Sequence, residues 1–188
     1  MTMKRLVSVL LLGAMVLLAR PASAQQVIFL VRHAERAPSA APKAPAPPAQ
    51  PDAKAGAKPH GMLMPDDPPL SAAGEQRAAR LAAMLADAGV KQIYTTEFKR
   101  TRQTAAPLAE RLKLKAVMSA ATDPGPLVDA LQKGTAPALV VGHSNTIPDL
   151  IKKLGVSETV TLGDNDYDNL FVVVRTPTGK ATLIRLKY

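Results

Sequence analysis

The chain has 188 residues, 47% apolar and 21% charged, which allows one sizeable core and excludes wholesale disorder. It has no cysteine, which excludes disulfide staples, thiolate metal sites, a cysteine nucleophile and lipid attachment through an N-terminal cysteine. Aromatics are 3% with no Trp, too few rings for a base-stacking platform, and the formal charge of +9 does not gather into one basic run, so nucleic acid is not an expected partner.

The first 24 residues have the three-part layout of a secretory signal. Lys4 and Arg5 open it, an apolar run follows from Leu6 to Ala19, and Ala22-Ser23-Ala24 supplies the small residues of a cleavage site after Ala24. The run is shorter than the roughly 18–20 residues of a membrane span, so a cleaved signal is preferred to a retained anchor. Cleavage removes Lys4, Arg5 and Arg20 and no acid, taking the net charge from +9 to +6. The expected location is periplasmic or secreted, with no stable membrane span in the mature chain. The surplus charge suits an anionic ligand or an acidic envelope surface, and equally plain solubility.

A continuous apolar run, Val27–Val31, suits a buried central strand. Ala37–Pro69 then holds ten of the seventeen prolines, without helical or strand period. We expect 37–64 to be a long excursion from one domain spanning 25–188, either a lid over a site or a passive segment. Ser71 caps a helix expected to reach Ala88, with Ala78, Leu81, Ala82 and Leu85 on one face and Gly89 ending it. Lys91–Thr95 reads as a short strand, and Phe98–Leu112 as a helix in which Pro107 predicts a kink or restart. A strand at Leu114–Met118 and a helix at Leu127–Lys133 follow. The buried run Ala138–Val141 leads through Gly142-His143-Ser144-Asn145 into a helix over Ile147–Leu154. Leu170–Arg175 and Ala181–Leu186 read as a hairpin turning at Pro177-Thr178-Gly179. The alternation predicts an α/β three-layer sandwich whose central sheet is mostly parallel, with an antiparallel edge from the C-terminal hairpin.

In such a sheet, ligands bind beyond the carboxyl ends of the strands. Arg32-His33-Ala34-Glu35, Thr95 to Arg100 and Gly142-His143-Ser144 all fall there. Guanidiniums are permanently charged and their planar donors match phosphate oxygens. A neutral imidazole offers a nucleophilic nitrogen while its other nitrogen is fixed by a carbonyl. Two arginines and two histidines at one sheet edge would therefore form a phosphate pocket with its own nucleophile and no metal or cofactor.

Val31-Arg32-His33-Ala34-Glu35 resembles the signature of the histidine phosphatase (phosphoglycerate-mutase-like) superfamily. Asp67-Pro68-Pro69-Leu70-Ser71-Ala72-Ala73-Gly74 is similar to the family's lead-in to its first helix. Thr95 to Thr104 is similar to its second arginine motif, and Val140 to Asn145 to its second histidine motif. The resemblance implies that His33 accepts the phosphoryl group and that Arg32, Arg100 and His143 hold it. It implies a metal-independent phosphomonoesterase working through a phosphohistidine, on a small phosphorylated substrate or an envelope phosphate. A general acid for the leaving group is assigned to Glu97, with Asp67 and Asp129 as rivals. Arg100 and His143 are only 43 residues apart, so the long insertion of the phosphoglycerate mutases is absent. Ser144 stands where the acid phosphatase and phytase branch has Asp, which leaves the small, minimal phosphatases as the nearest in size. An alternative is a non-catalytic envelope protein that binds a phosphorylated ligand on the same fold.

Among the remaining candidates, Glu35 reads as a structural carboxylate and His60 as an exposed residue of the excursion. No ligand spacing supports a zinc site from His33, His60 and His143. Oligomeric state is left open.

Overall fold

The computed structural model describes residues 25–38 and 67–188. The expected signal, the excursion beyond Pro38 and His60 lie outside the described residues. The order of elements is β1 (Gln26–Arg32), α1 (Ala72–Leu85), β2 (Gln92–Thr95), α2 (Lys99–Leu112), β3 (Ala116–Met118), α3 (Gly125–Lys133), β4 (Ala138–Gly142), α4 (Thr146–Lys153), β5 (Asn169–Arg175) and β6 (Ala181–Lys187). They build a six-stranded sheet of order β3-β2-β4-β1-β5-β6. β3, β2, β4 and β1 run parallel, while β5 and β6 are antiparallel to their neighbours.

Side-chain alternation along the strands divides the core into two layers. Ile28, Leu30 and Val140 pack on one face with Leu131 of α3 and Ile147 and Ile151 of α4. Val31, Ile93, Leu139 and Val141 pack on the other with Leu81 and Leu85 of α1 and Leu108 of α2. Each fully buried aliphatic side chain contributes about 1.5–3 kcal/mol, so β4, buried throughout, and β1, half-buried only at Val27 and Phe29, are where the sheet is most firmly held. Among the described residues no helix is long and apolar enough to cross a membrane.

Three local expectations are revised. The first helix stops at Leu85, short of Ala88, and a turn carries the chain to Gly89, whose φ of +70° only glycine adopts easily. The helix over Lys99–Leu112 is a single element that runs through Pro107 without a restart. Pro107 removes the donor for the Gln103 carbonyl, but Gln103 is exposed, where solvent can take that carbonyl. The expected strand at Leu114–Met118 shortens to the exposed edge strand β3.

The lead-in to α1 is built on the segment after the first strand. Ser71 caps α1 by accepting from the Gly74 N–H at 3.2 Å, and its own N–H donates to the Glu35 carbonyl at 2.9 Å. The helix start sits so close to that carbonyl that a Cβ on Gly74 would collide with it. One step further out, Arg36 and Leu70 form an antiparallel bridge, and the Ala37 N–H donates to Pro69 O at 2.8 Å. The described segments on either side of residues 39–66 are thus tied together beside the first motif.

Candidate active site

Because β1, β2 and β4 are parallel neighbours, their carboxyl ends meet at one edge of the sheet. That register brings His33, Thr96 and His143 together. The His33 N–H donates to Gly142 O at 2.9 Å, the ladder's last bond before the chains diverge. The His33 and His143 rings then lie edge to face with centroids 5.4 Å apart.

The tautomer of His33 follows from its partner. Its Nδ1 lies 2.8 Å from the Ala34 carbonyl oxygen, which can only accept, so Nδ1 carries the hydrogen and Nε2 keeps the lone pair. The Ala34 N–H is held in turn by Thr104 Oγ1 at 2.9 Å, which fixes the segment after the nucleophile candidate to α2. Burial lowers the pKa of His33 to about 4; the Ala34 hydrogen bond opposes this, and the charges of Arg100, Arg32 and Arg36 reinforce it. Burial also brings His143 down to about 3, with Arg100, His33 and Arg32 adding to the effect. Both rings are therefore neutral at neutral pH.

Two guanidiniums flank them. Arg32, buried at the end of β1, donates from one terminal nitrogen to Gly163 O at 2.7 Å and Asp164 O at 2.9 Å, and lies 4.2 Å over the Tyr167 ring. Arg100 lies 4.3 Å over the Phe98 ring, with one terminal nitrogen 3.4 Å from Asp67 Oδ1. In both arginines the Nε is buried and has no hydrogen-bond partner among the described residues. An orphan charged donor costs several times an ordinary hydrogen bond unless a ligand meets it, so each arginine retains bonding capacity for an anion.

His143 is held by hydroxyls. Its N–H donates to Thr146 Oγ1 at 2.9 Å, and its Nε2 lies 3.0 Å from Thr96 Oγ1, which lies 2.9 Å from Thr101 Oγ1. Gly142 is required before it, because a Cβ there would sit 2.8 Å from Thr146 Oγ1.

The carboxylates fall into distinct settings. Asp67 accepts the Lys99 N–H at 2.9 Å and so caps α2, whose own N-cap residue Phe98 supplies no side-chain bond. Glu97, on the connection from β2, uses Oε2 to accept the Ala121 N–H at 3.0 Å. Asp129 lies on the exposed side of α3, 3.5 Å from Lys133. Glu35 is clamped by Arg77 through bonds of 2.6–2.9 Å. Burial alone would raise the Glu35 pKa, but the Arg77 bonds and charge outweigh it and the net shift is downward. Its carboxylate belongs to the scaffold.

The structure thus gathers Arg32, His33, Arg100 and His143, with Glu97 on the adjoining connection. Thr96, Thr101, Thr104 and Tyr167 were not singled out by sequence reasoning. The threonines fall inside the second arginine motif, where their hydroxyls were legible but their direction was not. Tyr167 carries no local signal, since it reaches Arg32 only through the return of the chain before β5.

Residues 28–123 match the profile described as histidine phosphatase superfamily (branch 1). The chain belongs to this superfamily. The superfamily includes phosphomonoester hydrolases that act through a phosphohistidine, and the chain is assigned to that enzyme class. Among solved structures, the fold is similar to a protein histidine phosphatase SixA complexed with tungstate, at 19% identity and a TM-score of 0.61, covering 86% of this chain and 96% of that one. It is similar to a mycobacterial glucosyl-3-phosphoglycerate phosphatase at 16% identity and a TM-score of 0.57, with 85% and 97% covered. It also resembles a phosphoglycerate mutase from Bacillus anthracis at 17% identity and a TM-score of 0.56, with 88% and 94% covered. At these identities the likeness establishes the fold alone. A search of curated protein sequences finds no match.

Proposed function

We propose that this histidine phosphatase hydrolyses small phosphomonoesters through phospho-His33, without a metal ion, in the cell envelope. The observation that carries this reading is the fixed tautomer of His33. With Nδ1–H donated to Ala34 O, the Nε2 lone pair is the reactive position, and two arginines with unspent Nε donors border it. That the SixA relative was solved with tungstate, a tetrahedral oxyanion, fits a site of this kind.

In this reading Nε2 attacks phosphorus and the P–O bond to the leaving group breaks. The arginines neutralise the phosphoryl oxygens in both the ground state and the transition state, the role a metal plays elsewhere. His143 donates from Nδ1 to an equatorial oxygen, which requires its Nε2 to accept. The Thr96 hydroxyl then donates to Nε2, while the single hydroxyl hydrogen of Thr101 goes to the Phe98 carbonyl at 2.8 Å. Glu97 supplies the leaving-group proton from Oε1, its other oxygen being held by Ala121; such a step contributes roughly 10²–10⁴-fold where the leaving group is basic. Water then attacks phospho-His33, releasing inorganic phosphate and restoring the imidazole. Asp67, whose oxygens accept from the Lys99 N–H and from Arg100, has its oxygens committed to these donors and suits positioning better than proton donation.

The envelope location rests on the leader sequence, and the substrate class on the phosphate-matching donors of Arg32, Arg100 and His143 grouped around His33. The deciding experiment follows an aryl phosphate in the presence of chelator, comparing the protein with His33→Ala and quenching the turnover reaction in alkali to preserve a phosphoimidazole. Turnover with a labelled phosphoenzyme that disappears in His33→Ala is the expected result. Equal turnover by both proteins would remove His33 from the reaction, and oxyanion binding without turnover of any ester would favour a non-catalytic binding protein.

A further inference from the structure

A polar cavity of about 350 Å³ opens at the end of the sheet opposite to His33, between the start of β1, the end of α3 and the β5–β6 turn. The seven residues of β1 separate the two places, roughly 20 Å at the rise of a strand. Gln26, Lys133, Thr135 and Arg175 line the cavity, and among the described residues no carboxylate does.

Gln26 and Arg175 are register partners across β1 and β5. Gln26 is only 3% exposed, and its Oε1 accepts from Arg175 at 3.3 Å. Its Nε2 is buried and has no hydrogen-bond partner among the described residues. The same Arg175 nitrogen also donates to Leu131 O at 3.2 Å and Gln132 O at 3.4 Å, which caps the carboxyl end of α3. The Nε of Arg175 is buried and unpartnered as well. Buried donors left unmet are rare in folded proteins, and here two belong to side chains that line one cavity. Lys133 stands at its mouth, 3.5 Å from exposed Asp129, a pairing weak enough to surrender. Gly134 leaves the wall open, since a Cβ there would lie 3.2 Å from Gln26 Nε2.

Donors and positive charge converge on the cavity, and the nearest charge partner among the described residues, Asp129, holds only Lys133 and from the surface. We propose that it binds a small organic oxyanion, a carboxylate or phosphate headgroup, against Arg175 and Gln26, with Lys133 closing over it. A planar guanidinium and a neighbouring amide suit two oxygens of one such group. The volume lies in the small-molecule range. This site is separate from the phosphate-accepting edge and stands whether or not His33 is the nucleophile.

The test uses ¹⁵N-labelled protein carrying His33→Ala, so that no ester is turned over, titrated with malonate and separately with inorganic phosphate. Saturable shifts of the Gln26 side-chain amide and of the Gly134 and Thr135 backbone amides are expected with at least one of the two, and the tighter probe identifies the headgroup. Arg175→Met should abolish these shifts. Should that variant fail to fold, Lys133→Glu, a surface change, should weaken binding by about tenfold. Shifts confined to Thr96 and Gly142–Asn145, no shifts at high millimolar anion, or an affinity indifferent to Lys133→Glu would each overturn the proposal.

Discussion

His33 and His143 meet edge to face at 5.4 Å, from the ends of two strands that are hydrogen-bonded neighbours. Two cations at that distance, buried beside two arginines, would repel one another strongly, so the pair is stable only when neutral. Burial first, and the arginines after it, hold His33 down to about 4 and His143 down to about 3. Followed by NMR, the two rings should still be unprotonated at pH 5.5, where an ordinary histidine is mostly charged. Titration of either ring near pH 6.5 would contradict this. The sign for stability follows by linkage. The unfolded chain binds these protons near pH 6.5 and the native state does not, so stability is complete above that pH and falls as pH drops toward 4. The slope is at most about 1.4 kcal/mol per pH unit for each histidine. Urea midpoints at pH 7 and pH 5 measure it.

Thr96 Oγ1, 3.0 Å from His143 Nε2 and 2.9 Å from Thr101 Oγ1, sets the orientation of the second imidazole. All three residues are buried, with Thr101 fully so. Thr96→Val keeps the volume and removes the hydrogen bond to Nε2. We expect a loss of about 1 kcal/mol in transition-state stabilisation, roughly five- to tenfold in kcat/KM, together with a changed tautomer signature in the His143 ¹⁵N spectrum. A purely structural role would leave that spectrum unaltered while lowering the Tm.

Glu97 and Asp67 should separate by leaving group. With Glu97→Gln, the rate of aryl phosphate hydrolysis should change little, while that of alkyl phosphates should fall by roughly 10²-fold, because only the poor leaving group needs the proton. Asp67→Ala should act otherwise. It weakens the cap of α2 and the hold on Arg100, so stability should drop by about 1 kcal/mol and KM should rise for every substrate alike. Equal sensitivity of both ester classes to Glu97→Gln would deny it the role of acid.

Much of this was legible in the sequence for a definite reason. The buried runs Val27–Val31 and Ala138–Val141 have no polar alternative, and parallel pairing forces the residues that follow them, Arg32-His33 and Gly142-His143, to the same edge. Contacts made across long sequence separations were not legible. Tyr167 under Arg32, Asp67 as the cap of α2, and the Gly163 and Asp164 carbonyls that hold Arg32 depend on where loops return, which no local period encodes. The continuity of α2 through Pro107 shows the same limit from the other side. The local rule predicts a break, whereas Thr101, Thr104, Ala105 and Leu108 bury one face and keep the helix whole.

Gly74 gives the sharpest test of how the lead-in to α1 supports the site. In an isolated helix, replacing glycine by alanine stabilises by about 1 kcal/mol. Here the added Cβ would run into the Glu35 carbonyl oxygen, on the backbone two residues beyond His33, and the colliding atom is main chain that cannot rotate away. That carbonyl also accepts from the Ser71 N–H and, at 3.3 Å, from the Ser71 hydroxyl, so displacing it disturbs the cap of the helix as well. Overpacking of this kind costs about 1–3 kcal/mol, and more where the backbone must move, so the clash outweighs the propensity gain. Gly74→Ala should therefore lower the Tm and, by shifting the segment that sets the His33–Ala34 bond, reduce kcat with little change in KM for an aryl phosphate. A variant that is more stable than the parent, with kcat intact, would mean that α1 can slide away freely and that the nucleophile is oriented by β1 and β4 alone.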